Sequence, residues 1–499
     1  MKNILITGAL NEIGNRLIKI SLITIVVILV FSCKSEKPNT ITFVWQAERH
    51  DGIKYQVARG VRIQATENKN FTVNWGDSTT ETKKGAGNTD IVMYHTYVTA
   101  GEYTVNITTS DANCKFTSFN CVPETTVERN ISALFLFDCR ALESLYCRYN
   151  QLTNLDVNDC SALKVLHCYG NQLTNLEAGN CSNLIRLDFG DNHLEKIDLR
   201  SFPSLIELNC YDNQLTNLDL TNCSNLQTLL CCKNELTNLD LTSNSALQYL
   251  DCCCTKLTNL DLRNFSSLHT LICSYNLLPK LNLTDCSALK ELSCGNNQLI
   301  NLDLSNCSDL KKINCGNNQL TNLDVTNCLG LKELDCSNNQ LSDLDLTNCL
   351  GLKRLDCRHN LLTNLDLSNC SDLADLYCRY NKFQLSVLFA LHLLIAKENG
   401  KLFCTQNLQP QTVKTGEELF SDQSVFNEIF TKYIVTKNGN SVPHSDYTVR
   451  KGKLKFNTIG NYTVTMTNDA IISYNPYEEY SDYDNECPAK VIVDITVER

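Results

Sequence analysis

The sequence predicts a repeat solenoid flanked by two β-sandwich domains, and three observations carry that prediction. From Leu142 to Asn381 the chain repeats itself every 21 residues, twelve times, without an insertion or deletion; Leu142, Leu163, Leu184 and Leu205 begin a column that runs unbroken to Leu373. A second column holds Asn150, Asn171, Asn192, Asn213, Asn234, Asn276, Asn297, Asn318, Asn339, Asn360 and Asn381, broken only by Thr255. On either side the period vanishes, and short runs alternate apolar and polar residues between Gly-, Asn- and Asp-rich turns, as β-strands do. A fixed period of this size means a stack in which each turn buries its apolar side only against its neighbours.

The N-terminal element reads as an export signal. Arg16 and Lys19 precede an apolar run, Ile20 to Phe31, followed by Ser32 and Cys33. Twelve residues are too few to span a bilayer core of about 30 Å, but suit the apolar region of a secretory signal. The sequence Val30-Phe31-Ser32-Cys33 resembles a bacterial lipobox, although Phe31 is bulkier than the usual residue there. That resemblance implies a signal peptide over 1–33, a lipid on Cys33, a polar tether over 34–40, and an exported protein anchored to the bacterial outer membrane at the cell surface. The other reading is a plain signal peptide with an incidental Cys. Residues 2–15 also resemble the opening of a nucleotide-binding Rossmann unit, but Asn11 replaces a glycine and no second strand follows. The fingerprint needs strand, helix and strand within about 30 residues, so this likeness is rejected.

Charge narrows the partners. The formal charge is −11, and removing the leader's net +2 leaves −13. An acidic chain without a Lys/Arg run gains nothing from releasing phosphate counterions, so nucleic acid is not an expected partner.

Residues 41–111 read as a small β-sandwich, with runs such as Phe71 to Trp75 and Tyr103 to Thr108. Trp75-Gly76-Asp77, then His95-Thr96-Tyr97, then Gly101-Glu102-Tyr103-Thr104-Val105 resemble the signature of PKD domains, immunoglobulin-like spacers on secreted proteins. The resemblance implies that Trp75 is core and that Asp77 braces a turn. Gly76-Asp77-Ser78 offers a nominal hydrolase nucleophile, but it has neither a strand-to-helix elbow nor a suitably placed His.

The repeat, LxxLxCxxNxLTNLDLxNCxx, is similar to the leucine-rich repeat, with Cys where that family usually carries a third Leu or Ile. The resemblance implies twelve turns with parallel β-strands on the concave face, and it assigns 112–383 to the repeats and their N-terminal cap. Residues 384–407 follow as a capping helix, apolar at helical spacing and stopped at Asn399-Gly400, with a linker. Residues 408–499 alternate again and read as a second immunoglobulin-like sandwich, similar to the one that follows the repeats in internalins. Between its strands, Tyr474 to Glu486 forms an acidic, Tyr-rich loop, either solvated or a calcium or partner site.

The 28 cysteines are sorted by position. Eleven form one column from Cys147 to Cys378 with Phe189 in the remaining slot; nine form another from Cys139 to Cys370, sharing it with Phe202, Asn244 and Phe265. Phe in a Cys slot marks both columns as apolar interior, where free Cys is common. Neighbouring parallel strands lie about 4.8 Å apart, whereas a disulfide wants Cβ atoms about 3.8 Å apart, so buried thiols are expected. No metal is expected, because no His accompanies the Cys inward. Outside the columns, Cys114 and Cys121 could staple the N-terminal cap, and Cys404 and Cys487 could tie the last domain to the repeats. Cys232, Cys253 and Cys254 face outward on adjacent strands; a Cys232–Cys253 disulfide, an exposed reactive cluster and solvent-facing thiols without a role are the alternatives.

Alternation within LxxLxCxxN sends the intervening residues out onto the concave wall. The early repeats place Tyr146, Arg148, Tyr149, His167, Tyr169, Arg186 and Tyr211 there, and the late ones Arg354, Arg358, His359, Tyr377, Arg379 and Tyr380. Between them the wall is bland, as at Gly295-Asn296, Gly316-Asn317 and Ser337-Asn338. Tyr and Arg dominate binding hot spots, so the two ends are the expected contacts for a partner. The Asn column is expected to bond backbone groups of adjacent turns. The acidic column that includes Asp198, Asp219, Asp240, Asp261, Asp303, Asp324, Asp345 and Asp366 either caps convex turns or shares cations.

The expectation is therefore a lipid-anchored, adhesin-like binding protein that recognises a protein or surface glycan, without a cofactor. The eight His are scattered, and no Ser/His/Asp, paired-acid or zinc spacing suggests an enzyme. A glycan-binding module and a purely structural scaffold are the competing classes. Replacing Cys33 by Ala is expected to abolish incorporation of labelled fatty acid and to move the protein from the detergent to the aqueous phase on phase separation; unchanged partition would exclude the lipid anchor.

Overall fold

In the computed structural model, residues 38–47, 56–111, 113–123, 131–396, 401–408, 410–420, 425–426, 429–474 and 486–498 are described. The expected signal peptide, Cys33, most of the expected tether and residues 475–485 lie outside them. They form two compact units, Met1–Leu184 and Ile185–Arg499. Among the described residues, no helix is long and apolar enough to cross a membrane.

The first unit opens with eight strands: β1 (Thr40–Ala47), β2 (Gln56–Ala65), β3 (Asn70–Asn74), β4 (Thr80–Lys84), β5 (Ile91–Tyr97), β6 (Gly101–Thr109), β7 (Phe116–Asn120) and β8 (Ile131–Phe137). One sheet has the order β4-β3-β6-β1-β8, and the other runs β5-β2-β7. Ile41, Phe43, Phe71, Val73, Met93, Val105 and Phe119 are fully buried in the unit's core. The expected boundary at residue 111 does not separate two bodies. Strand β7 pairs antiparallel with β2 and parallel with the first repeat strand, Ser144–Tyr146, so a single ladder runs from sandwich to solenoid. Pairing the edge in this way removes a row of open backbone groups that would invite aggregation.

Three-residue strands recur at 21-residue intervals, from Ser144–Tyr146 and Val165–His167 in the first unit to the ten strands from Arg186–Asp188 to Asp375–Tyr377 in the second. Within each unit successive repeat strands pair parallel and in register, as in Leu334 opposite Leu355. This is a parallel β-solenoid of leucine-rich-repeat type. Leu and Cys point inward with little or no exposure. The Asn column closes the backbone. Asn339 Nδ2 donates to the carbonyls of Cys315, Cys336 and Ser337, and its Oδ1 accepts the Leu320 amide at 2.9 Å. Each Asn thus satisfies groups of its own turn and of the turn before it. At the break, the Thr255 hydroxyl lies 3.0 Å from the Cys252 carbonyl oxygen and 2.6 Å from Asn276 Oδ1.

After the repeats, the helix Leu385–Ala396 is followed by a strand, Lys401–Phe403, that pairs parallel with Asp375–Tyr377. The segment expected to be a linker is therefore one further rung of the sheet. Fully buried Gln406 completes it, donating from Nε2 to the Cys378 carbonyl and accepting the Asn381 amide at Oε1. It does for the last turn what the next Asn does elsewhere. The terminal domain contains a sheet built on two long antiparallel strands, Gly460–Tyr474 and Glu486–Glu498, and a three-stranded sheet of Glu418–Leu419, Lys453–Phe456 and Tyr447–Arg450.

Replacing Asn339 by Ala strands the Leu320 amide and takes one of two donors from the Cys315 carbonyl, which keeps Asn318 Nδ2 at 2.9 Å. It is expected to destabilise the solenoid by about 2–4 kcal/mol and to accelerate hydrogen exchange at Leu320. Gln340→Ala, at an exposed neighbour, is the control that leaves both unchanged.

Candidate functional site

The concave wall is built from the outward residues of the repeat strands. Its first row alternates in sign through Glu291, Lys312, Glu333, Arg354 and Asp375. The in-register pairing places opposite charges beside each other, with Lys312 Nζ 3.2 Å from Glu333 and Arg354 3.8 Å from Asp375. Such exposed pairs contribute only about 0–1 kcal/mol each; their consequence is a surface with a defined charge pattern. Glu291, Lys312, Glu333 and Arg354 of this row help line a groove of about 330 Å³ that crosses five consecutive strands, with Ile272, Ser293, Asn314, Asp335 and Asp356 beside them. The groove lies in the part of the wall expected to be bland. Its signal was present in the sequence as one position of each repeat read down the stack.

The bland residues have a conformational cause. Asn296, Asn317 and Asn338 all have φ near +54° (53–55°), and the same turn recurs at Tyr149, Lys233, Cys254, Tyr275, His359 and Tyr380. Asn tolerates this left-handed region better than most residues, so it is the default there. A Tyr or Cys in its place is held against a backbone preference, and such strain concentrates at functional sites.

The expected contact residues divide between the two units. In the first, the Tyr146 and His167 rings meet edge to face at 5.3 Å, and those of Tyr149 and Tyr169 at 5.4 Å; Arg148 is half-buried among this group's turns. In the second, Arg186 pairs with Glu207 at 3.1 Å, and Lys233 lies over the Tyr211 ring at 4.9 Å. Tyr377 corrects the expectation of an exposed contact: it is only 6% exposed, covered by the guanidinium groups of Arg354 and Arg358 at 4.6 and 5.3 Å. Cation–π attraction favours this cover over solvent. Arg358 is itself held by Asp356 at 2.6 Å. His359 and Tyr380 stack at 4.4 Å, and Arg379 is half-buried. Tyr275, outside the expected set of contacts, is 60% exposed.

Two of the four expected staple cysteines belong to the inner column instead. Phe119 pairs with Leu145 and Leu402 with Leu376, which puts Cys121 beside Cys147 and Cys404 beside Cys378. Cys114 and Cys121 are buried thiols at opposite ends of β7. Five strand residues alone separate the ends by roughly 13 Å, far beyond the roughly 7 Å that a disulfide tolerates between Cα atoms. The Cys487 side chain lies outside the described residues. Burial pushes the thiols of Cys147 and Cys294 up to about 12, so they stay protonated and inert. The second column is more than apolar filling. Cys181 Sγ lies 3.3 Å from the Val157 carbonyl, and where Asn244 replaces Cys its amide donates to Leu220 and Cys223. Cys232 and Cys253 are thiols, and Cys254 is exposed.

In the first domain His95 stacks on Trp75 at 4.8 Å, and its Nε2 lies 2.7 Å from Asp77 Oδ2. Asp77 Oδ1 accepts the Thr79 amide and hydroxyl, which fixes the turn. Burial raises the Asp77 carboxyl, but the bonds from Thr79 and His95 outweigh it and hold it below the ordinary value. His95 is thus engaged with Asp77, not Ser78.

A solved structure of the functional domain of InlJ from Listeria monocytogenes, which includes a cysteine ladder, is similar to this chain. Identity is 23%, with 77% of this chain and 90% of that one covered, and the TM-score is 0.53. The leucine-rich-repeat domain of APL1B is 24% identical over 51% of this chain and 80% of that one, at a TM-score of 0.44. YopM from Yersinia enterocolitica is 24% identical over 54% of this chain and 65% of that one, at 0.40. No protein-family model matches the chain, and no curated protein matches it. The likeness to InlJ is one of fold, and the fold defines the class: a leucine-rich-repeat solenoid between β domains.

The acidic column caps turns, each Asp accepting from the residue two positions on. Hydrogen bonds from that residue lower the carboxyls of Asp219, Asp324, Asp240 and Asp345, and the Arg200 side chain and amide bring Asp198 down to about 2. A carboxyl whose folded value is depressed stabilises the fold above its unfolded value and loses that contribution as pH falls through the folded one. The melting temperature is therefore expected to be level from pH 7 to about 5 and to fall from about pH 4 toward 2. Thermal melts across this range check it; a level profile down to pH 2 would remove the caps from the stability of the solenoid.

Proposed function

We propose that the protein is an exported, lipid-anchored bacterial surface protein that recognises a protein partner non-covalently through the concave wall of its solenoid, in the manner of an adhesin. The groove from Ile272 to Asp356 carries this reading. Its row of alternating charge offers paired contacts to a polypeptide, which carries both signs, and matching potentials favour one register and reject others. The half-buried strands below it supply a rigid base, so little ordering opposes binding. The lipobox-like Val30 to Cys33 supports export and anchoring, and the PKD-like Trp75, Asp77 and His95 support a spacer role for the first domain. No catalytic role is assigned. A glycan is the second reading, favoured by the exposed ring of Tyr275 and by Tyr380, which could serve as stacking platforms.

The test is capture and crosslinking from host and bacterial surface extracts with the full chain as bait. A Lys312→Glu, Arg354→Glu double variant with an unchanged melt is expected to lose at least about tenfold in capture, equivalent to about 1.4 kcal/mol. Loss only in a Tyr275→Ala, Tyr380→Ala variant, with binding to a glycan array, would transfer the site to the glycan reading. Equal capture by all three would remove the concave wall as the binding face.

A further inference from the structure

The outward residues after each inner Cys run Tyr211, Cys232, Cys253 and Ser274 in successive turns, so two outward thiols stand side by side. They belong to neither interior column. The sulfur atoms of Cys232 and Cys253 and a carboxylate oxygen of Asp251 all lie within 4.8 Å of one another. We infer that Cys232, Cys253 and Asp251 form a binding site for a thiophilic, zinc-class divalent cation on the concave wall.

Three features of the geometry favour this over a disulfide. Cys232 and Cys253 occupy equivalent positions of adjacent parallel turns, joined by the Lys233 amide donating to the Cys253 carbonyl at 3.0 Å. Strand spacing of about 4.8 Å keeps their Cβ atoms too far apart for an unstrained S–S bond. A tetrahedral ion with bonds of about 2.3 Å asks only that the sulfurs lie roughly 3.8 Å apart, which side-chain rotation alone can reach. The carboxylate is held in place: Asp251 Oδ1 accepts the Cys253 amide at 3.1 Å, leaving Oδ2 to bind a cation. Cys232 is buried, while Asp251 and Cys253 are half-buried, so the ligands are partly preorganised yet reachable from solvent.

Two thiols and one carboxylate suit a borderline-soft cation rather than calcium or magnesium, which take oxygen ligands. Three protein ligands leave a fourth position toward solvent. Cys254 sits at the rim in a left-handed conformation, and Tyr249 and Lys233 flank the cluster. A cation held by two thiolates displaces their protons, so affinity rises with pH. The site stands apart from the groove reading, since it requires no partner.

The experiment uses the reduced, chelator-stripped full chain, titrated with Co²⁺ and Zn²⁺ and followed by absorbance and native mass spectrometry. The expected result is one equivalent of metal with a thiolate-to-Co²⁺ charge-transfer band, tighter at pH 8 than at pH 6. Cys232→Ser and Cys253→Ser, each with native circular dichroism, should lose it; Asp251→Asn should weaken it about tenfold to a hundredfold. Cys254→Ser should keep the equivalent. Absence of stoichiometric metal, or its retention in both Cys variants, would overturn the inference. So would a Cys232–Cys253 disulfide in protein whose thiols were alkylated at lysis.

Discussion

Everything in the solenoid depends on one recurring hydrogen-bond set, the asparagine that ties each turn to the turn before it. A 21-residue turn is mostly irregular backbone, and irregular backbone can be buried only if its polar groups find partners. Asn339 meets that need with one amide, which donates to three carbonyls and accepts one N–H. The geometry works only if every turn has the same length, because the accepting and donating groups come from equivalent positions of successive turns. The absence of insertions over twelve repeats is the sequence record of that constraint.

The same constraint shapes the wall. In-register stacking turns each repeat position into a column, so one residue type repeated down the chain becomes a physical row. Inward rows of Leu and Cys become a core; the Cys rows remain protonated because burial disfavours thiolates. Outward rows become ladders of pairs, as in Lys312 beside Glu333. Both ends of the stack need groups that imitate a missing turn. The Cys121 carbonyl, which accepts from Asn150, does so at one end, and Gln406 does so at the other.

Much of the solenoid was legible because its period fixes both register and direction. Leu145, Cys147 and Asn150 could be placed inward from their columns alone. The end rungs were not legible: Cys121 and Cys404 stand outside the period, and only pairing of Phe119 with Leu145 and Leu402 with Leu376 puts them on the inner column. Spacing suggested staples where the sheet simply continues. Of the contact residues, outward direction was legible at Tyr146, Tyr149 and Tyr380, but exposure was not. Tyr377 points outward and is still covered, because two arginines of the preceding turn fold over it.

By itself, then, the sequence determined the repeat, the inward and outward faces and the exchange of Phe for Cys in the core, since these follow from periodicity and side-chain polarity. Tertiary structure decided how closely the outward residues approach and which of them are covered. The groove joins Ile272 to Asp356 across 84 residues of chain, and Cys232, Asp251 and Cys253 meet only because adjacent turns lie one strand spacing apart. Side-chain direction is a local property of the strand; neighbourhood and cover depend on distances between strands, which no single repeat contains.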